Sequence, residues 1–184
     1  MNQHDMTRNM VLAALFAALT AIGAFLQIPT GTVPITLQFL FTALAGLLLG
    51  WKWGAVSQLL YVGIGLLGLP VFTQGGGIGY VLQPSFGFLL GLIPAAAVIG
   101  ALTARRTGYL TVLAAVLVGD LILYAVGVPY MYLILHVYMQ SAKTFSALLA
   151  AMLVYVPGDT LKIVVVTALA PVLRRTLAKA VPNL

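Results

Sequence analysis

Long apolar runs without charged residues constrain what this chain can fold into more than any other feature of its sequence. The first run, Met10–Leu26, approaches the ~20 residues that a helix needs to cross the hydrocarbon core of a bilayer, and similar runs follow. Alternation of apolar and polar residues with period two, the mark of a membrane β-barrel, is absent. With 62% apolar and 7% charged residues, the chain has too few polar groups to cover a water-soluble domain. The sequence therefore predicts an all-α integral membrane protein.

Turn residues divide the apolar sequence into six predicted transmembrane helices within a single membrane-embedded domain, residues 1–184. Pro29 begins the turn after the first helix, Trp51–Gly54 is predicted to be a short loop, and residues 71–84 are too rich in glycine for a stable helix. Because Tyr and His prefer the membrane interface, we expect Pro129–Thr144 to form a helix at the surface. The six predicted crossings are Asn9–Ile28, Thr32–Gly50, Ala55–Leu69, Ser85–Ala104, Tyr109–Gly127 and Phe145–Leu177.

The distribution of basic residues predicts the orientation of these helices. An even number of crossings puts both termini on one side, and cytoplasmic loops carry an excess of Lys and Arg. If the amino terminus is cytoplasmic, the outer connecting segments hold Lys143 and the cytoplasmic ones hold the other basic residues of the connections. The sequence thus predicts an N-in, C-in topology, with the Gly-rich loop between the third and fourth helices on the outer side. The residues predicted to be cytoplasmic are Arg8, Lys52, Arg105, Arg106, Arg174, Arg175 and Lys179.

The sixth predicted helix carries an acid and a base at membrane depth. Asp159 and Lys162 are three residues apart, which places them on one face of a helix. The stretches on either side, Ala147–Val154 and Ile163–Leu173, are almost wholly aliphatic. A charge in such surroundings is costly unless it is paired or faces a polar cavity, so we expect a substrate-binding site here. The alternative is an ion pair that only holds two helices together.

The loop at residues 72–80 supplies a second group of candidate binding residues. Its consecutive glycines, Gly77 among them, allow the backbone to approach a ligand closely or to adopt positive φ. Gln74 and Tyr80 add side chains that form hydrogen bonds. A plain flexible turn is the alternative interpretation of this loop.

Three polar residues of other predicted helices are expected near the same outer face. Thr36 and Gln38 lie at the start of the second helix and can face the same cavity. Asp120 lies somewhat outside the middle of the fifth helix, where it either lines the pocket or pairs with Lys162. The alternative for Asp120 is an interhelical hydrogen bond made by its protonated carboxyl group.

The first predicted helix carries a stripe of alanines in its cytoplasmic half. Small residues with four-residue spacing allow another helix to approach closely. That helix belongs either to this chain or to a partner protein, and Ala14 and Ala18 are the candidates for a partner interface. The stripe consists of Ala13, Ala14, Ala17, Ala18 and Ala21.

Several functional classes find no support in the sequence. The absence of cysteine excludes disulfides and thiolate metal sites, and His4 and His136 alone are too few for a zinc site. No phosphate-binding loop, zinc-protease signature or nucleophile–base pair is found, so an enzyme is not expected. The net charge of +6 is explained by the cytoplasmic face of a membrane rather than by nucleic acid. We therefore predict neither a metal nor a cofactor.

An ordered set of motifs resembles one known family of membrane proteins. The set covers essentially the whole chain and is more specific than any single motif. The motifs are Val33–Gln38, Gly68–Phe72 with the Gly-rich stretch through Tyr80, Pro84–Gly91 and Pro157–Lys162. Together they resemble the BioY family, the biotin-binding S components of energy-coupling factor (ECF) transporters. Asp120 and Gln74 depart from the pattern that we expect of this family.

The resemblance implies a ligand, partners and a location. It implies high-affinity biotin capture near the outer face of the cytoplasmic membrane of a prokaryote. It also implies that the Ala-rich first helix contacts a transmembrane T component, which is coupled to two cytoplasmic ATPases.

The chemistry of biotin fits the candidate residues. Asp159 is suited to accept hydrogen bonds from the ureido N–H groups, and Lys162 either pairs with the ligand carboxylate or keeps Asp159 ionised. Gln38, Gln74 and Tyr80 would complete the polar contacts. Which charge meets which end of the ligand stays open at this stage.

Two other functions stay open from the sequence. An ion-coupled secondary carrier for a small carboxylate or vitamin would use Asp159 and Asp120 as relay groups, although the internal repeat common in such carriers is not seen. A membrane enzyme lacks an identifiable nucleophile–base pair. Binding of biotin to the purified chain without any gradient separates these functions from capture by an S component.

Overall fold

The computed structural model describes residues 3–30, 33–105 and 108–180, with side chains described up to residue 176. Most of these residues are helical. The α-helices are α1 (Gln3–Phe25), α2 (Gln38–Leu66), α3 (Phe86–Leu102), α4 (Tyr109–Leu133), α5 (Phe145–Ala151) and α6 (Val156–Ala180). The shorter elements are the strands β1 (Gln27–Ile28) and β2 (Ile35–Thr36), 3₁₀ turns at Ile78–Leu82 and Met152–Val154, and a π-helical turn at Ile134–Tyr138.

The helices have the lengths and the outer surfaces of a membrane protein. Within the described ranges, four helical segments are long and apolar enough to cross a bilayer, and α3 is a shorter apolar helix. Large apolar side chains such as Leu110, Leu121 and Val172 point away from the rest of the protein. Contact of such side chains with lipid is favourable, whereas their exposure to water would cost free energy. The predicted class, a mostly helical integral membrane protein, is confirmed. The four long segments are Gln3–Phe25, Tyr109–Tyr138, Val156–Thr176 and Gln38–Leu66, the last of which reverses at Gly50 and has two shorter arms.

The helix α2 consists of two antiparallel arms, residues 38–49 and 51–66, that reverse at Gly50. The backbone of Gly50 has φ 77° and ψ 178°, a conformation that favours glycine. Across the reversal, a Cβ added to Gly54 would lie 2.8 Å from the Cα of Gly46. The two arms correspond to the predicted second and third helices. The predicted loop at Trp51–Gly54 was wrong, because one glycine makes the turn and the helix resumes at Trp51.

Further contacts between the two arms confirm the hairpin. Thr42 donates a hydrogen bond of 2.9 Å to Oε1 of Gln58, and Gln38 donates one of 2.8 Å to the hydroxyl of Tyr61. These residues would be far apart in one straight helix. The second arm ends at Leu66 rather than at the predicted Leu69.

The segment between α1 and α2 forms a small antiparallel strand pair that the sequence did not predict. Gln27 pairs with Thr36, and Ile28 pairs with Ile35. The predicted second helix was wrong over residues 33–37, and its predicted first residue, Thr32, lies outside the described residues. The residue before a proline disfavours helical backbone, so Pro34 keeps this stretch extended. The first helix likewise ends at Phe25, before the strand, rather than at Ile28.

The helix α4 extends beyond the point where the sequence placed its end. It continues from Tyr109 through the predicted stop at Gly127 to Leu133, and a π-helical turn follows to Tyr138. The predicted surface helix Pro129–Thr144 was therefore wrong. Its first half continues α4 because Val128 and Met131 are buried against side chains of the α5 region. Burial of these apolar residues outweighs the turn signals at the glycine and the proline.

The last predicted helix is broken in the structure. Instead of one helix over Phe145–Leu177, the chain forms α5, a 3₁₀ turn and then α6. The break follows from Pro157, because a proline ring has no N–H and clashes with the carbonyl four residues earlier in a continuous helix. In the first turn of α6 this proline is tolerated. The break places Tyr155 and Asp159 at the start of α6, where the Asp159 N–H donates to the Tyr155 carbonyl as in a regular helical turn.

Small residues allow α2, α3 and α4 to pack closely. A Cβ added to Gly46 of α2 would lie 2.5 Å from the carbonyl oxygen of Ala96 in α3. A Cβ added to Gly91 of α3 would lie 3.1 Å from the carbonyl oxygen of Leu123 in α4. In a membrane, where helices gain little from leaving lipid, such close backbone approach supplies much of the association energy.

The end of the bundle at Gly50 gathers basic residues and the carboxyl ends of helices. The guanidinium of Arg174 in α6 donates hydrogen bonds to the carbonyl of Leu47, at 2.7 Å, and to the carbonyl of Thr103, at 3.4 Å. Both carbonyls belong to the carboxyl ends of helices, where no N–H group of the same helix is available to donate to them. We call this the Gly50 end; Lys52 and Arg105 also lie here. The predicted cytoplasmic Arg106, and the side chain of Lys179, lie outside the described residues.

Candidate functional site

A cleft opens at the end of the bundle opposite Gly50. The segment after α1, the Gly-rich loop and the helices α3, α4 and α6 meet around it. The empty space of the cleft, counted together with its open mouth, is about 620 Å³. The polar lining residues are Thr36, Gln38, Thr73, Tyr80, Ser85, Tyr124, Tyr155, Asp159 and Lys162. The apolar lining residues are Val33, Pro34, Ile35, Phe39, Phe88, Leu89, Leu92, Leu123 and Met152.

A buried ion pair forms the most polar part of the cleft. The Lys162 ammonium lies 2.6 Å from a carboxylate oxygen of Asp159, and the two residues are 7% and 6% exposed. Tyr124 of α4 donates a hydrogen bond to the other carboxylate oxygen. Lys162 also donates to the carbonyl of Thr36 at 3.3 Å. The pair therefore connects α6 to α4 and to β2 while both charges stay at the cleft wall.

The position of the pair follows from the local sequence. Asp159 lies in the first turn of α6, where the positive end of the helix dipole stabilises a carboxylate. Lys162, three residues later, is on the same helical face. Breaking a buried ion pair by removing one partner costs about 3–5 kcal/mol, so a ligand that separates the pair must replace the lost contacts.

A hydrogen-bond chain fixes the polar wall beside the pair. Thr36 donates to Oε1 of Gln38 at 2.8 Å, and Gln38 in turn donates to the hydroxyl of Tyr61. Tyr61 donates to the carbonyl of Val71 at 3.1 Å. The strand β2, both arms of α2 and the start of the Gly-rich loop are thus joined. Gln38 is 7% exposed and is held in one orientation by these partners.

The second polar group of the cleft surrounds Tyr80. Its hydroxyl shares a hydrogen bond of 2.9 Å with Thr73 and one of 3.4 Å with Ser85. The rings of Phe72 and Tyr80 pack with centroids 4.6 Å apart, and the Phe86 ring follows at 6.4 Å. The loop therefore presents a fixed aromatic wall that carries hydroxyl groups.

The structure brings five of the seven predicted binding residues to the cleft. Gln74 is exposed and does not line it. Gly77 adopts φ 99° and donates its N–H to the carbonyl of Gly65 at 2.7 Å, which anchors the loop to α2. Direct ligand contacts of Gln74 and Gly77 stay predictions. The five that line the cleft are Thr36, Gln38, Tyr80, Asp159 and Lys162.

Sequence reasoning missed two tyrosines of the site. Tyr124 meets Asp159, and Tyr155 donates to the carbonyl of Val33 while it accepts a hydrogen bond of 3.1 Å from Thr30. Tyr155 adjoins the Pro157–Lys162 motif, and Tyr124 follows Asp120 by one helical turn. Closeness in sequence to a membrane-embedded acid is the local signal that both share, and it does not separate them from tyrosines that prefer the membrane interface.

Asp120 lies beside the site without lining the cleft. Lys162 forms its ion pair with Asp159 and not with Asp120. One carboxylate oxygen of Asp120 is buried and has no hydrogen-bond partner among the described residues. The structure thus supports neither a role in the cleft wall nor a direct contact with Lys162.

The alanine stripe of α1 divides into an inner and an outer face. Ala13 and Ala17 are 0% and 5% exposed, so they pack inside this chain. Ala14 and Ala18 are exposed. The outer pair therefore leaves a small-residue surface to which another helix can pack.

The site has the chemistry of a binding pocket for an amphipathic molecule. An acceptor and a cation lie side by side at one wall, hydroxyl groups lie at another, and aliphatic and aromatic side chains fill the space between them. Within residues 3–30, 33–105 and 108–180, no cluster of three or more His, Asp or Glu residues suited to a metal is found. A small organic molecule with polar ends is the ligand that these walls fit.

Sequence and structure comparisons relate the chain to one group of membrane proteins. The profile of the BioY family matches residues 1–179. A probable biotin transporter BioY of Lysinibacillus sphaericus is 51% identical over 148 residues, which cover 79% of this chain and 76% of that protein. A biotin transporter BioY of Rhodobacter capsulatus is 39% identical over 188 residues and 97% of each chain. The crystal structure of an S-component for biotin from an ECF-type ABC transporter matches 95% of both chains, with a TM-score of 0.83 and 29% identity.

Proposed function

Because this chain belongs to the BioY family, we propose that it captures biotin in the cleft as the substrate-specific S component of an ECF-type ABC transporter. Its function is biotin uptake, and it is a transporter component rather than an enzyme. It resides in the membrane of a prokaryotic cell. The observation that carries the proposed site is the buried Asp159–Lys162 pair at the wall of an otherwise apolar cleft.

The two charges are assigned to the two polar ends of biotin. Asp159 accepts hydrogen bonds from the ureido N–H groups, and Lys162 binds the carboxylate, since a carboxylate accepts and an ammonium donates. The apolar thioether ring and chain lie against Phe88, Leu92 and Leu123. Tyr80 and Gln38 complete the polar contacts through their hydroxyl and amide groups.

The orientation in the membrane is proposed to be N-in and C-in with six crossings. The two arms of α2, together with α1, α3, α4 and α6, provide the six crossings. The basic residues at the Gly50 end support a cytoplasmic position for that end by the positive-inside rule. The cleft and the Gly-rich loop then face the outside, where biotin is captured.

The chain needs partners to move the ligand across the membrane. Its sequence holds no phosphate-binding loop, so ATP is hydrolysed by other subunits. We propose a transmembrane T component and two cytoplasmic ATPases as these subunits. The exposed face at Ala14 and Ala18 is the surface where a helix of the T component packs.

Equilibrium binding of radiolabelled biotin to the purified chain in detergent tests this function. An S component binds biotin without ATP, partners or an ion gradient. The alternative, an ion-coupled carrier, requires its coupling ion for tight binding. Saturable binding that is unaffected by removal of Na⁺ supports the S component, whereas binding that appears only with a coupling ion supports the carrier.

A further inference from the structure

A second cavity adjoins the cleft beside α5. It shares Met152 and Tyr155 with the cleft, so these two side chains form a wall common to both spaces. We call this cavity the vestibule and define it by Thr30, Lys143, Ala147, Ala151, Met152 and Tyr155. Lys143, Ala147 and Ala151 have no part in the site described above.

The vestibule combines a cation with small apolar residues. Lys143 is exposed, and neither ion pair of the described residues involves it. Ala147 and Ala151 lie one helical turn apart on α5 and leave open space on that face. Other exposed basic side chains, such as Lys52 and Arg175, belong to the opposite end of the bundle. An amphipathic anion is therefore the class of ligand that this cavity attracts.

The common wall can yield to a passing ligand. Met152 has an unbranched side chain that adapts readily to new shapes. Tyr155 is held by hydrogen bonds to Thr30 and to the carbonyl of Val33, and rotation of its ring exchanges these for contacts with a polar ligand. Both groups that hold Tyr155 lie in the segment between α1 and α2.

We propose that the vestibule is a transient binding site through which biotin reaches the cleft, with Lys143 attracting the ligand carboxylate. This inference rests on the proposed function. A surface charge on the approach route raises the association rate more than the final affinity, because the ligand leaves that charge behind when it is fully bound. The vestibule thus controls the rate of capture, whereas Asp159 and Lys162 control the affinity.

Rapid-filtration kinetics with radiolabelled biotin test the role of the charge. The chain is placed in nanodiscs of zwitterionic lipid, and wild-type equilibrium binding is measured first, since its failure would refute the proposed function itself. In Lys143→Gln, we expect the association and dissociation rate constants at low salt both to fall roughly threefold, so that the equilibrium affinity stays at the wild-type value. The Lys143→Arg variant should keep the wild-type rate. The matched control, Lys52→Gln, removes the same charge at the Gly50 end and should have no effect.

A neutral ligand and a steric variant complete the test. The primary amide of biotin should associate at the same rate with wild type and Lys143→Gln, because it lacks the carboxylate. The Ala151→Leu variant narrows the vestibule and should slow association and dissociation by the same factor. A narrower passage raises the free-energy barrier between the unbound and bound states, and it leaves the free energies of those two states unchanged.

Three outcomes would overturn the inference. Equal association rates for Lys143→Gln and Lys52→Gln would remove the role of the charge. An equal loss of rate for biotin and its amide would show that Lys143 acts on folding or on the cleft. Wild-type rates in Ala151→Leu would mean that this cavity is filled by lipid and that biotin takes another route.

Discussion

At the residue scale, Asp159 and Lys162 have opposite charges, and we assign them to different ends of the ligand. In the structure they satisfy each other at 2.6 Å. Biotin carries both N–H donors and a carboxylate at opposite ends, so it can compensate both charges when the two side chains separate to meet those ends. A ligand without one of these groups leaves one buried charge without its partner.

The Asp159→Asn variant should bind biotin more weakly by about 1–3 kcal/mol, the range for loss of a charge-assisted hydrogen bond. Asparagine keeps the shape and one acceptor but has no charge. Equilibrium binding in detergent measures the change, with size-exclusion chromatography to verify folding. Unchanged affinity in a well-folded variant would rule out a direct contact with the ureido group.

The Lys162→Met variant should distinguish the two ends of the ligand. Methionine keeps most of the apolar stem and removes the ammonium. If Lys162 binds the carboxylate, the affinity for biotin falls at least tenfold, about 1.4 kcal/mol, and the affinity for its primary amide changes little. Competition of the amide against radiolabelled biotin provides the comparison. Equal losses for both ligands would point to a structural ion pair.

The sequence predicted this pair because the signal is local and chemical. An acid and a base three residues apart in an apolar run can be recognised from the sequence alone. Tyr124 and Tyr155 were missed because their roles depend on partners distant in the chain, 35 residues away for Tyr124–Asp159 and 122 for Tyr155–Val33. Without the fold, such tyrosines cannot be told from those that prefer the membrane interface.

At the element scale, α6 joins the two ends of the molecule. Asp159 lies in its first turn, and Arg174 lies about 22 Å further along the helix at 1.5 Å per residue. Arg174 donates to carbonyls at the carboxyl ends of the first arm of α2 and of α3. A single helix therefore contributes to the cleft at one end and fastens three helices together at the other.

The Arg174→Gln variant should lower the stability of the bundle by about 1–3 kcal/mol, because buried carbonyls lose their donors. The Arg174→Lys variant should recover only part of this loss, since lysine cannot donate in a fork to two carbonyls. Thermal unfolding in detergent measures both. The control is Arg175→Gln, which removes an exposed charge next to Arg174. Equal melting temperatures for the two glutamine variants would show that the guanidinium contacts contribute nothing.

The elements were predictable in number but not at their ends. Apolar length alone located six helical segments, because a bilayer requires it. The single-residue turn at Gly50 was missed, since the arms are held by contacts such as Gly46–Gly54 that no local pattern reveals. The pair β1–β2 and the extension of α4 past Gly127 likewise depend on packing partners, which outweigh local turn signals.

At the scale of the whole molecule, ligand binding and partner binding are predicted to be separable. The cleft lies at one end of the bundle, and the exposed pair Ala14 and Ala18 lies on the outer face of α1. We expect the Ala14→Leu, Ala18→Leu double variant to bind biotin normally, to recover less T component and to lose uptake in cells. Leucine side chains at these positions hold a partner helix away.

The neighbouring alanines provide the matched control for this prediction. Ala13 and Ala17 are buried, so the same change to leucine there should disturb the packing of α1 and lower folded yield and biotin binding together. Co-purification with a tagged chain measures partner recovery, and filter binding measures the ligand. Loss of biotin binding with normal partner recovery in the Ala14, Ala18 variant would refute the interface.

The long-range contacts of Arg174 and Lys162 also determine when the two ends of the bundle can form during synthesis. The carbonyl of Leu47 precedes its partner Arg174 by 127 residues, and Thr36 precedes Lys162 by 126. A chain that emerges from the ribosome amino end first must wait for its last helix before either contact can form. The nascent protein therefore lacks the cleft until α6 arrives, and the same helix then closes the opposite end of the bundle. A prematurely terminated chain without α6 would lack both contacts. Its helices would therefore end in carbonyl groups without hydrogen-bond donors.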